Sequence, residues 1–113
     1  MGASKVVVHA GICGNLTTIR AISDDDQMVR FEIESMCKNI QELADKLTEP
    51  IDAYEEIGTG SDGIILTASR ETLKGCCSAC AVPIALFKAM QVAAGLALPK
   101  DVIIEIEKAS AKI

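Results

Sequence analysis

The chain has 113 residues and a formal charge of −5, and half of it is hydrophobic although it holds two Phe, one Tyr and no Trp. That length suits one compact domain over residues 1–113, with a core of Val, Ile, Leu, Ala and Met. The basic residues are scattered, which excludes the positive stripe and aromatic platforms of a nucleic-acid groove.

In chain order, the β-branched run at residues 5–10 (KVVVHA) predicts a first strand that ends at Gly11. After the GICGN loop, residues 16–22 predict a second strand, and SDDDQ a polar hairpin turn. MVRFEIES then alternates, with Val29, Phe31 and Ile33 on one face and Arg30, Glu32 and Glu34 on the other: a half-buried strand. At Ser35 the period changes. Ile40, Leu43, Ala44 and Leu47 form a helical stripe, with Ser35 as the expected N-cap and Cys37 in the first turn. Pro50 suits the start of a short helical piece through Ile57, with Ile51 and Tyr54 on one face. IILTAS reads equally as a strand or as part of a helix through TASRETLKG. Pro83 fits the first turn of a main helix that carries Leu86, Phe87, Met90, Ala93 and Ala94 at helical spacing, and Gly95 ends or loosens it. DVIIEIEK, following Pro99, reads as a closing strand with Val102, Ile104 and Ile106 inward. The expected fold is α+β: a two-layer single domain, its mixed or antiparallel sheet covered on one face by two main helices.

The cysteines carry the functional signal. Cys13 lies in a glycine-bounded loop after the first strand, Cys37 at the start of a helix, and Cys76, Cys77 and Cys80 (GCCSAC) just before the main helix. A helix N-terminus lowers a thiol pKa through its unpaired N–H groups and dipole, which should favour thiolate at Cys37 and Cys80. Cys77-x-x-Cys80 is a chelating pair, and with Cys13 and Cys37 it makes the four sulfurs that zinc or an iron–sulfur cluster requires, Cys76 being the spare or substitute ligand. Two alternatives stay open: a thiol redox enzyme using Cys77 and Cys80, and a structural or interaction module whose cysteines are buried free thiols.

The stretches HAGICGN, SMCKNI and CAVPIALFKAMQVAAGLALPKDVIIEIEK resemble a small family of uncharacterised single-domain proteins from anaerobic prokaryotes. The resemblance covers most of the chain. It implies a cytoplasmic domain with a recurring Cys13, Cys37 and Cys80 pattern, and no assigned activity.

Other motifs read more plainly. Gly58, Gly60 and Gly63 spell G-x-G-x-x-G, but a dinucleotide loop needs a strand before it and a helix directly after, so a flexible loop is expected. Asp24, Asp25 and Asp26 suit a solvated turn, because the calcium-loop spacing is missing. His9, the single histidine, is a substitute ligand or a half-buried strand residue. No secretory or myristoylation signal is legible at the N-terminus, and residues 79–98 are interrupted by Pro83, Lys88 and Gln91, so a cytoplasmic chain without membrane insertion is expected. The main helix is apolar nearly all round, which points to a possible homodimer.

Overall fold

The computed structural model describes residues 1–111. Strands β1 (Gly2–His9), β2 (Leu16–Ser23), β3 (Met28–Ser35) and β4 (Ile51–Asp52) form one antiparallel sheet in the order β1-β2-β3-β4. Helices α1 (Lys38–Asp45), α2 (Ala53–Thr59), α3 (Ile64–Thr72) and α4 (Val82–Ala93) complete an α+β fold.

The period-2 pattern fixes the buried face. Val6, Ile19 and Ile33 stand abreast across the first three strands, as do Ser4, Ala21 and Phe31, and these rows carry the buried and half-buried positions. Lys5, Arg20 and Glu32 share a row on the opposite, solvated face, where Arg20 and Glu32 form an exposed ion pair at 3.8 Å. On the covered face α4 lies against β1 and β2, and α1 against β3. Ile40 and Leu43 of α1, Ile65 of α3, and Leu86, Ala89, Met90 and Ala93 of α4 fill one core with Ile19, Ala21 and Val29. A helix stacked on small side chains can approach closely: the Ser4 hydroxyl donates to the Ala89 carbonyl at 2.7 Å, and Gly2 packs against the Ala93 carbonyl where a Cβ would collide.

Local chemistry explains the joints. The β1–β2 connection is a 3-10 turn over Gly11–Cys13 whose flanking Gly11 and Gly14 take positive φ (76° and 71°), the region where a side chain is strained. Between β2 and β3 the Asp25 carboxylate accepts the Gln27 and Met28 amides at 3.0 and 2.8 Å, so this acidic run is spent on closing a hairpin. Pro83 lies in the first turn of α4, and Gly95 (φ 75°) follows its C-cap.

One ambiguity is resolved, and several expectations need correction. Residues 64–72 are helix, the ambiguous stretch resolving because Ile65, Ala68 and Ser69 face the core at helical spacing. Before α2 comes β4, which pairs with Met28 and Val29; Ile51 is buried while Tyr54 is exposed, so the two do not share a face. The N-cap of α1 is Cys37, whereas the Ser35 hydroxyl accepts the Cys37 amide from outside the helix. Most consequentially, residues 101–108 form no strand: Val102, Ile104 and Ile106 are 53%, 65% and 91% exposed. Their alternation is real in the sequence, but α4 ends beside the start of β1, and residues 101–108 take no place in the sheet.

The span Gly75–Ala93 is apolar and long enough to cross a bilayer by composition alone. It is divided in the structure. The α-helical part has 12 residues, short of the roughly 20 that a span needs, and it buries one face on the sheet.

Candidate functional site

The topology gathers the cysteine-bearing segments at one end of the domain. His9 pairs with Leu16 and Thr17 with Ser35, so the end of β1, the start of β2 and the end of β3 share one edge of the sheet. Cys13 lies in the turn beyond that edge, and Cys37 lies two residues past Ser35. Because Gly2 meets Ala93 and Ser4 meets Ala89, α4 runs opposite to β1. At about 1.5 Å rise per helical residue and about 3.3 Å per strand residue, the start of α4 falls abreast of Val7 and Val8, beside the same edge. Cys80 immediately precedes that helix, and Cys76 and Cys77 occupy a 3-10 turn over Gly75–Ala79.

Polar contacts join these pieces. Thr17 and Ser35 are linked through their hydroxyls at 2.8 Å, and Ser35 Oγ accepts the Cys37 amide at 3.2 Å. Asn39 Nδ2, in the first turn of α1, donates to Cys77 Sγ at 3.3 Å. Cys37, Cys77 and Cys80 are half-buried and pack against the common core, whereas Cys13 and Cys76 are exposed; all five are free thiols.

Burial pushes the Cys80 thiol above its ordinary pKa. The Val82 amide, at the start of α4, pulls the other way by hydrogen bonding to the sulfur, while Cys77, Cys13 and Cys37 each disfavour a charge on it. The expected lowering at this helix start is therefore corrected: desolvation outweighs the helix terminus. Among the described residues, no three His, Cys, Asp or Glu side chains stand close enough together to hold a metal ion. His9 lies exposed at the same sheet edge.

The G-x-G-x-x-G run does precede a helix, but α2, which already contains Gly58, and not a strand comes before it, as expected. Glu56, 3% exposed, occupies the place of a phosphate: its carboxylate oxygens accept the Ile64 and Ile65 amides at 3.0 and 2.7 Å. A Cβ at Gly63 would stand 2.8 Å from that carboxylate, so the last glycine makes room for Glu56. Sequence reasoning missed Glu56, whose eight-residue separation from Ile64 gives no local capping signal. A cleft of about 330 Å³ beside it is lined by Asp52, Glu55, Asp62 and Thr67, among others. Asp52 is itself engaged in accepting the Tyr54 and Glu55 amides as N-cap of α2.

Fold and site together define a small α+β protein with a cysteine-bearing end. The chain belongs to a family of unknown function (DUF6951), whose model matches residues 4–106. No curated protein and no solved structure matches it.

Proposed function

We propose that the protein binds a thiophilic metal, zinc or an iron–sulfur cluster, through Cys13, Cys37, Cys77 and Cys80, in a reducing cytoplasm where such thiols persist. The supporting observation is the gathering of these four thiols, from three separate parts of the chain, at one end of the sheet. Metal ligation reverses the local electrostatics. Burial and the neighbouring sulfurs disfavour a charge on Cys80, and a cation that takes the place of its proton turns that penalty into attraction. The Asn39 side chain and the Val82 amide would then donate to metal-bound sulfurs, the partners that such ligands need. Closing the site requires the exposed Gly11–Cys13 turn to move inward, and its two flanking positive-φ glycines leave it few side-chain contacts to break. Cys76, exposed on its turn, is left as the substitute ligand.

The thiol-redox alternative fares less well, because an attacking Cys80 would have to ionise against burial and three neighbouring sulfurs. Titration of the reduced protein with cobalt(II) tests the proposal. One cobalt per chain with intense sulfur-to-metal charge-transfer absorption is expected, abolished by Cys37→Ser or Cys80→Ser and kept in Cys76→Ser. Binding no tighter than that of free cysteine, or equal loss in all five Cys→Ser variants, would refute it.

A further inference from the structure

We infer that residues 101–108 form a strand in trans, adding to the free edge of β1 in a second copy of the chain, so that two copies exchange C-terminal strands. The inference is independent of the metal-binding proposal.

Both halves of the missing pair are present on one chain. β1 is eight residues long, contains no proline and, among the described residues, pairs only with β2, leaving one edge of backbone N–H and C=O groups unpaired by any described strand. Long open edges invite further strands unless charge, proline or a covering element blocks them, and Lys5 is the one charged side chain of β1 apart from the titratable His9. Val6, on the covered face, remains only half-buried, as expected where the row lacks its next strand.

The other half is DVIIEIEK. It alternates at strand period, yet Val102, Ile103, Ile104 and Ile106 are all exposed, and no backbone hydrogen bond joins 101–108 to the sheet among the described residues. Four β-branched side chains left open in five positions are unusual for a soluble surface. The family match extends through residue 106 and so includes residues 101–106 of this segment.

The two faces match. With Val102, Ile104 and Ile106 continuing the apolar row of Val6 and Val8, Glu105 and Glu107 fall on the face that carries Lys5 and its cross-strand neighbour Arg20. Opposite charges then sit on the solvated side and apolar side chains on the helix side. A one-residue slip would reverse both, so the register is specified.

The chain's own β1 is not the occupant in this structure. α4 ends against Gly2, and residues 95–110 remain exposed beyond it, in a molecule whose extents are 51 × 28 × 25 Å. Ten extended residues reach about 33 Å, enough to cross to a neighbouring copy. Reciprocal exchange gives a closed twofold dimer in which both open edges are paired.

Sedimentation equilibrium of the full chain tests this, with circular dichroism and thermal unfolding as controls on folding. The native protein is expected at twice the chain mass, and Ile104→Lys at the chain mass with unchanged helix content. Lys5→Glu should weaken the dimer at least tenfold, and joining it to Glu105→Lys and Glu107→Lys should restore it. A monomeric native protein overturns the inference, including one whose 102–106 amides are protected from exchange by docking in cis. So does a dimer that survives Ile104→Lys.

Discussion

Replacing Glu56 isolates what holds α2 to α3. Its carboxylate is buried and accepts the first two amides of α3, at 3.0 Å from Ile64 and 2.7 Å from Ile65. Hydrogen bonds to a charged group contribute about 1.5–3 kcal/mol each, so deleting both would cost about 3–6 kcal/mol if nothing replaced them. Part of that is recovered. Ile64 borders the open cleft, and water entering the vacated space can accept its amide, whereas the Ile65 amide is deeply enclosed. The expected loss in Glu56→Ala is therefore about 2–4 kcal/mol, which for this length corresponds to a Tm drop of about 8–17 °C. Glu56→Gln keeps the shape and one carbonyl oxygen, and should lose about half as much. Gly63→Ala pushes a methyl into the same carboxylate, so its cost should shrink in the Glu56→Ala background, a non-additivity that marks the pair as coupled. Urea and thermal denaturation followed by circular dichroism measure these differences, and amide exchange at Ile65 localises them. Glu56→Ala within about 0.5 kcal/mol of the parent would refute the capping argument.

Other outcomes follow from the same contacts. Gly2→Ala must drive a methyl against the Ala93 carbonyl, so it should destabilise by about 1–3 kcal/mol and loosen the last turn of α4, read by amide exchange at residues 93–95. Leu43→Ala, at a fully buried α1 position, should cost about 2–5 kcal/mol in denaturant unfolding. Asp25 and Asp52 both titrate below their ordinary value of 3.8, Asp25 chiefly through the Met28 amide and Asp52 chiefly through the Gln27 side chain. Their folded forms favour charge, so the stability they contribute is present above pH 3.8 and is lost as pH falls through the lower folded values. Acid unfolding of the Asp25→Asn, Asp52→Asn double variant should accordingly be less steep below that pH than in the parent.

The parts of the fold that were legible in the sequence are those whose periodicity and burial agree. Val29, Phe31 and Ile33 alternate because one sheet face is covered, and Ile40, Leu43 and Leu47 recur because one helix face is. Residues 64–72 were ambiguous for the converse reason: Ile64, Ile65 and Leu66 are apolar in succession, and the Glu56 cap and the packing on α1 and α4 select the helix. The C-terminal alternation misled because a strand period states what a segment is fit to pair with, and not which edge is within reach. For the site, junction positions of the cysteines were readable, since caps and glycine turns leave local signatures. Their common end of the sheet was not, because it depends on the antiparallel registers of β1, β2 and β3 and on the direction of α4. The helix-start argument for a lowered Cys80 pKa failed because it counted the Val82 amide and omitted the burial that the core imposes.

Metal analysis of the protein purified without oxygen tests the central claim most directly, taken together with its visible spectrum and acid-labile sulfide. Stoichiometric zinc, or iron with sulfide and a brown colour, is the expected result, with the metal lost when Cys37 or Cys80 is replaced by Ser. A metal-free protein that takes up neither zinc nor iron when both are supplied under reducing conditions would contradict it.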